Sequence, residues 1–161
     1  SENQTAANFT YTWSPVPDNV TSTGKIRIEW QTNTTVYDDS DPFHIKGKLN
    51  LTAPNGGPAD IYYVNNAMPI NWTATGTLPN PVRLNYTTDG GADGYHHSIL
   101  NSTGGYYFSA NGPYSWNIPE TTELGNKIRI KAYMEDDELN ISDVSDDNLT
   151  IRGILNITYP K

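Results

Sequence analysis

Apolar and polar residues alternate along much of this chain. Residues 49–51 (Leu-Asn-Leu) and 70–72 (Ile-Asn-Trp) each place an Asn between two large apolar side chains, and residues 84–86, 139–141 and 155–157 repeat the pattern. Successive side chains of a β-strand point to opposite faces, so the alternation predicts strands with a buried apolar face and an outward Asn.

Short segments rich in β-branched and aromatic residues, separated by Gly, Pro, Asn and Asp turns, predict seven strands between residues 48 and 153. The predicted strands are residues 49–53, 69–74, 82–87, 95–100, 106–109 with 114–116, 127–133 and 148–152. About seven short strands in ~100 residues are typical of an immunoglobulin-like β-sandwich. No segment has sustained helical periodicity, and the acidic residues 135–139 are too few to form more than a turn.

Three blocks of sequence occur twice, in the same order and about 100 residues apart, which is close to the size of one such sandwich. The matched blocks are residues 11–15 with 114–119, 24–28 with 126–130, and 43–54 with 149–160. We therefore expect an all-β chain in three parts. Residues 1–47 form a partial module with closing strands only, 48–153 a complete immunoglobulin-like β-sandwich, and 154–161 an extending strand that opens a following or neighbouring module.

The complete module resembles the tandem immunoglobulin or fibronectin type III-like repeats of prokaryotic surface proteins. The motifs that carry the resemblance are Pro-Asn-Gly-Gly at 54–57, the Trp strand at 70–73, Asp-Gly-Gly at 89–91, Tyr-Ser-Trp-Asn-Ile-Pro at 114–119, Lys-Ile-Arg-Ile at 127–130 and the Ser-Asp tail at 142–146. The resemblance covers most of residues 48–153. It implies an extracellular module and brings no catalytic residues.

Asn-x-Ser/Thr, the acceptor pattern for N-glycosylation, is far more frequent than composition explains. The chain has eleven such sites where chance gives roughly three. They lie at Asn3, Asn8, Asn19, Asn33, Asn50, Asn71, Asn85, Asn101, Asn140, Asn148 and Asn156. We expect covalent N-linked glycans on a chain exported to the cell surface.

Charge and composition argue against several classes of binding partner and site. A net charge of −8 argues against nucleic acid, because phosphate contacts need a basic face. There is no Cys, which excludes a disulfide framework and a thiolate site. No apolar run approaches the ~20 residues of a membrane span, so we expect no membrane insertion. The chain begins at Ser1 without an initiator Met, and we expect a processed form or part of a longer polypeptide.

Candidate chemistry is limited to clustered carboxylates. Asp38, Asp39 and Asp41 occupy a loop equivalent to that of Asp143 and Asp146, and such loops could supply oxygen ligands for calcium. A solvated acidic turn is the alternative. No nucleophile elbow or phosphate-binding loop is present, so we expect no enzyme and no cofactor other than glycans and a candidate calcium ion.

These features favour a structural subunit of an N-glycosylated extracellular filament whose partners are copies of itself. Leu155, Ile157 and Tyr159 form the predicted assembly strand, because an alternating strand left alone exposes apolar side chains and backbone groups. Subunits would join either by strand complementation or as a tandem polypeptide. The alternative function is a carbohydrate-binding or adhesive module, in which exposed aromatic residues stack on sugar rings.

Overall fold

The computed structural model describes residues 10–159, and this part of the chain is all-β. A single 3-10 turn covers Glu135–Asp137, as the short acidic segment predicts. The strands are β1 Thr21–Gly24, β2 Arg27–Trp30, β3 Asn33–Asp39, β4 Phe43–Ile45, β5 Lys48–Ala53, β6 Ile61–Tyr63, β7 Ala67–Thr75, β8 Val82–Thr87, β9 His97–Ile99, β10 Tyr114–Asn117, β11 Gly125–Met134, β12 Ser142–Val144 and β13 Leu149–Arg152.

Strands β5 to β13 form a sandwich of two sheets. One sheet has the order β10-β7-β5, and the other has the order β6-β13-β11-β8-β9, with β12 also paired to β11. Most pairs are antiparallel, whereas β6 pairs parallel with β13. This arrangement confirms the predicted all-β class.

The two sheets enclose one apolar core that follows the alternation of the sequence. Leu49 and Leu51 of β5, Ile70 and Trp72 of β7, and Ile130 of β11 are all buried in it. Trp72 packs edge-on against Phe108, with ring centroids 5.9 Å apart. Each such large side chain contributes about 1.5–3 kcal/mol when it leaves water, so this core dominates the stability of the sandwich.

The seven strand regions predicted between residues 48 and 153 are present, but two strands were missed. In the fifth region only 114–117 forms a strand, while Phe108 makes an isolated bridge to Val82. The missed strands, β6 and β12, have only three residues each, which is too short for a clear alternation.

Strands β1 to β4 form two small antiparallel sheets before the sandwich, β1 with β4 and β2 with β3. Residues 11–15, whose sequence matches the region of β10, form no strand. The counterpart, β10, pairs with β7, and β1 to β4 include no strand equivalent to β7. Trp13 packs instead edge-on against Phe43, with ring centroids 6.3 Å apart.

The junction between β4 and β5 fixes the small sheets to the sandwich. Gly47 lies where a Cβ atom would come within 2.5 Å of the Leu78 side chain. The carboxylate of Asp18 accepts hydrogen bonds from the backbone N–H and hydroxyl of Thr77, at 2.7 and 3.0 Å. Lys46 Nζ lies 2.8 Å from Asp137 Oδ2.

The predicted extending strand at residues 154–161 is not a strand over its described part, 154–159. A strand needs a ladder partner, and residues 10–159 provide none for this segment. Leu155, Ile157 and Tyr159 are therefore exposed.

Candidate glycan-bearing surface and apolar face

Most acceptor asparagines of the described residues reach the surface. Exposed acceptors are Asn19, Asn33, Asn50, Asn140 and Asn156, and half-buried ones are Asn71, Asn101 and Asn148. Asn3 and Asn8 lie outside the described residues. The surface therefore offers attachment points on the small sheets, on the sandwich and on the segment that follows it.

Asn50 and Asn71 stand on neighbouring strands of one sheet. Asn50 of β5 is exposed between the buried Leu49 and Leu51, and Asn71 of β7 is half-buried between two buried residues. Strand β5 lies at the edge of its sheet. A sugar on Asn50 would therefore stand beside unpaired backbone groups of an edge strand.

Asn85 departs from the predicted outward orientation. Its side chain is 9% exposed, and its Nδ2 donates a hydrogen bond of 2.7 Å to the carbonyl of Tyr95. The loop between β8 and β9 lies over the outer face of β8, so both faces of this strand are covered. The alternation at 84–86 therefore belongs to a strand that is covered on both faces, and the Asn85 amide is turned into the fold.

Asn140 also departs from the predicted strand geometry. It follows the 3-10 turn, where its backbone N–H donates to the carbonyl of Asp137 at 3.1 Å. Leu139 is exposed and only Ile141 is buried, so residues 139–141 form a turn and not a strand. The acceptor amide of Asn140 is nevertheless at the surface.

Asn101 organises the turn in which it lies. Its Oδ1 accepts hydrogen bonds from the backbone N–H groups of Thr103 and Gly105, at 3.0 and 2.8 Å. Its Nδ2 donates to the carbonyl of Tyr107 at 2.9 Å. The amide has two N–H donors, so a sugar on Nδ2 would leave one N–H for this bond.

Several carboxylates of the candidate calcium loops are hydrogen-bonded to other groups of the protein. Within residues 10–159, no group of three or more His, Asp and Glu side chains is arranged to hold a metal ion. Asp39 pairs with Arg27 at 2.7 Å, and this hydrogen bond lowers the pKa of the Asp39 carboxyl. Asp143 accepts the backbone N–H of Leu51 at 2.7 Å, and Asp146 accepts Asn55 Nδ2 at 2.6 Å. The geometry gives the calcium prediction no support, and Asp38 and Asp41 are exposed acids of the same hairpin.

The aromatic side chains of the sandwich divide between the core and the surface, and the exposed ones are Tyr63, Tyr106 and Tyr107. Trp72 and Trp116 are buried, and Trp116 packs against Tyr86 with centroids 5.2 Å apart. A cleft of about 520 Å³ lies beside Trp116 and Tyr114. The two Trp rings have no free face for a sugar. Trp30, by contrast, is exposed on β2.

One apolar surface stands out in the small N-terminal sheets. Ile26, Ile28, Trp30 and Val36 are all exposed there, and we call these four residues the bare face. The alternation of apolar and polar residues does not predict that these four residues share an exposed face. The internal repeat relates these residues to buried residues of β11. However, the sequence match aligns Ile26 with Ile128, whereas the hydrogen bonds of the two hairpins align Ile26 with Ile130.

The helical content of residues 10–159 is one short 3-10 turn, and no helix there could span a membrane. Comparison of the sequence with known protein-family models finds no match, and comparison with curated proteins finds no similar sequence.

Proposed function

We propose that this chain is a structural, N-glycosylated subunit of an extracellular filament, built from immunoglobulin-like modules that join head to tail. The observation that carries the proposal is the acceptor array. Eight of the nine acceptor asparagines among residues 10–159 have an exposed or half-buried side chain, although the sites are spread over strands and turns alike. A chance set would number roughly three triplets, against eleven in this sequence, and the accessible side chains leave most of the described acceptors open to modification.

The glycans contribute by shielding. An edge strand offers unpaired N–H and C=O groups to any neighbouring chain, and a bulky hydrophilic group on it blocks unplanned pairing. Asn50 lies on the edge strand β5, and Asn71 lies on the adjacent β7. A net charge of −8 adds repulsion between surfaces that are not meant to meet.

Head-to-tail joining is supported by the two ends of the described chain. The bare face lies at the N-terminal end, and exposed Leu155 and Ile157 lie after the last strand. Exposed apolar surfaces of this kind mark sites of protein contact. Two different surfaces that meet by a head-to-tail contact propagate as an open polymer and do not close as a dimer.

The adhesive alternative has less support. It requires aromatic rings with free faces, and Trp72 and Trp116 are buried in the core. Trp30 is exposed, but it belongs to the bare face that the filament proposal uses. Tyr37, Tyr106 and Tyr107 are exposed as well, and theirs are the rings that this alternative could use.

Mass spectrometry of the native protein tests the proposal. We expect more than about half of the eleven acceptor sites to carry sugar, with Asn85 unmodified. Glycopeptide mapping identifies the occupied sites. Occupancy of fewer than about half of them would remove the main support for a glycan-coated filament.

A further inference from the structure

The small N-terminal sheets repeat the closing strands of the sandwich residue by residue. Strands β1 and β2 together correspond to β11, β3 corresponds to β12, and β4 to β13. The pairing registers agree: Thr21 pairs with Ile45 as Gly125 pairs with Ile151, and Gly24 pairs with Phe43 as Ile128 pairs with Leu149.

The same two hydrogen bonds close both copies of the hairpin. Ile26 N–H donates to Ser40 Oγ at 3.1 Å, and Ser40 N–H donates to the Ile26 carbonyl at 2.9 Å. In the sandwich, Ile130 N–H donates to Ser145 Oγ at 2.8 Å, and Ser145 N–H to the Ile130 carbonyl at 2.9 Å. Ile26 is therefore the counterpart of Ile130, and the rest of the bare face follows from this alignment.

The two copies differ in what covers them. In the sandwich, the counterpart residues are 0–3% exposed: Ile130, Ala132, Met134 and Ile141. On the bare face the corresponding residues are 48–76% exposed: Ile26, Ile28, Trp30 and Val36. The strands are thus built for a second layer that the N-terminal copy does not have within residues 10–159.

Strand β5 is part of that second layer in the sandwich. It lies against β11 and β12, and Leu49 and Leu51 are buried there. The Leu51 N–H donates a hydrogen bond of 2.7 Å to Asp143 Oδ2, which fixes β5 against β12. The counterpart of Asp143 in the N-terminal copy is Asp38, whose side chain is exposed.

The sequence of β5 also occurs twice. Residues 155–159 repeat 49–53, so that Leu155 and Ile157 correspond to Leu49 and Leu51. Leu155 is 99% exposed and Ile157 is 84% exposed. We infer that the bare face binds residues 154–159 of a second copy of this chain, with Leu155 and Ile157 covering its apolar residues and Asp38 accepting the backbone N–H of Ile157.

The segment cannot reach the bare face of its own chain. Strand β13 ends beside Gly125, at one end of β11, whereas the N-terminal sheets contact the sandwich near Met134, at the other end. Ten residues of β11 span roughly 33 Å, and the six residues 154–159 extend at most about 21 Å. The contact is therefore between copies and runs head to tail.

A single such contact is weak. In the sandwich, the far edge of β5 pairs with β7, but in the contact between copies that edge faces water. The backbone groups on that edge stay hydrated, so they do not reduce the free energy of association. The favourable contributions are limited to two apolar side chains and the hydrogen bond to Asp38. Association of the free chain should therefore depend strongly on concentration.

Cross-linking of the 161-residue chain tests this contact, because these residues include no Cys that could react. The double variant Asp41→Cys with Tyr159→Cys keeps every group that holds the proposed contact, and it is treated with a short bifunctional thiol reagent at high protein concentration. Asp41 corresponds to Asp146, which bonds Asn55 just beyond β5 in the sandwich, and Tyr159 ends the segment. We expect a ladder of dimers, trimers and larger species on a denaturing gel. The control pairs Asp41→Cys with Leu139→Cys, since Leu139 is 98% exposed but lies outside the segment. An equal ladder from the control, or no ladder from the test pair, overturns the inference.

Sedimentation of point variants gives an independent readout. Leu155→Asp should weaken self-association at least about tenfold, because it removes one buried leucine from the contact. Leu139→Asp should leave association unchanged. Both residues are almost fully exposed in the single chain, so neither variant should impair folding. Equal effects of the two variants would show that the segment is not specific.

This inference rests on the proposed filament function, but the two fail differently. Absence of glycans and filaments from native material would contradict the function, whatever the cross-linking shows. Filaments that form from a chain lacking residues 154–161 would leave the function intact and exclude this segment as the joint.

Discussion

A buried asparagine amide stabilises the pair of strands β8 and β9. Asn85 Nδ2 donates to the carbonyl of Tyr95 in the loop that covers β8. We expect Asn85→Ala to lower the free energy of unfolding by about 1–2 kcal/mol, because it leaves that carbonyl unpaired in a covered site. Asn50→Ala is the matched control and should change it by less than about 0.5 kcal/mol, since Asn50 points to solvent. Urea unfolding of unglycosylated protein measures both, and equal effects would contradict the buried role.

Ser40 and Ser145 make the same hydrogen bonds in different surroundings. Ser145 and Ile130 are fully buried, so Ser145→Ala strands a buried N–H and should cost about 1–3 kcal/mol. Ser40 is exposed, and water can replace its hydroxyl in Ser40→Ala. Ser40→Ala should therefore lower the free energy of unfolding by less than about 1 kcal/mol. Thermal unfolding measures the loss of stability in the two variants. Equal losses would show that the two hairpins are equally covered in solution, which would contradict the exposed position of Ser40.

At the scale of single elements, the turn after β8 is held by one carboxylate. Asp89 accepts the Thr87 hydroxyl at 2.5 Å and the backbone N–H groups of Gly91, Ala92 and Asp93 at 2.8, 3.0 and 2.8 Å. These bonds, the Thr87 hydroxyl first, lower the pKa of Asp89 to about 2.

The direction of the pH effect follows from that lowered pKa. The stabilisation is complete above the ordinary Asp pKa of about 3.9, and it is lost as the pH falls through about 2. We expect the midpoint of urea unfolding to fall between pH 4 and pH 2, and Asp89→Asn to flatten that fall. If the urea midpoint of Asp89→Asn falls with pH as steeply as that of the unsubstituted protein, other carboxyl groups cause the acid sensitivity.

The turn after β5 depends on a glycine that no other residue can replace. Gly56 has φ +86°, and a Cβ there would lie 2.0 Å from the backbone carbonyl oxygen of Asp147. Its neighbour Gly57 also has a positive φ, +111°, but a Cβ would meet nothing within 4 Å. We expect Gly56→Ala to cost more than about 3 kcal/mol and Gly57→Ala about 1 kcal/mol. Calorimetry measures the loss of stability in both variants. Similar losses for Gly56→Ala and Gly57→Ala would show that the steric clash at Gly56 has no effect.

Alternation in the sequence predicts strands well wherever one face is buried and the other is wet. It identifies β5 and β7 with their outward Asn50 and Asn71. It fails at β8, because the loop that covers its outer face comes from a fold that a local pattern cannot reveal. It also fails at residues 154–159, where the pattern is correct for a strand but the ladder partner is missing from residues 10–159.

The candidate site was predicted only in part for a similar reason. Acceptor asparagines are defined by three adjacent residues, so the sequence contains them completely. The bare face is defined by which residues share one side of paired strands. Its alignment with β11 follows from the strand-pairing registers and from the hydrogen bonds of Ser40 and Ser145, and this alignment differs by two residues from the best sequence match.

At the scale of the whole molecule, the chain combines a closed sandwich with surfaces that remain open. In the sandwich, the apolar face of β11 and β12 is buried. The equivalent bare face is exposed, and so are Leu155 and Ile157, which we infer to cover the bare face of another copy. Sugars cover the remaining surface in the proposed assembly. We propose that these glycans prevent lateral pairing and leave the ends free, which would confine growth to one direction.

Electron microscopy of the native material would show whether the protein forms the proposed glycosylated filament. We expect continuous filaments one module wide, with density projecting from the sheet that holds Asn50 and Asn71 and no projection at Asn85. Isolated particles no larger than a single chain, at concentrations where the native material is abundant, would contradict it.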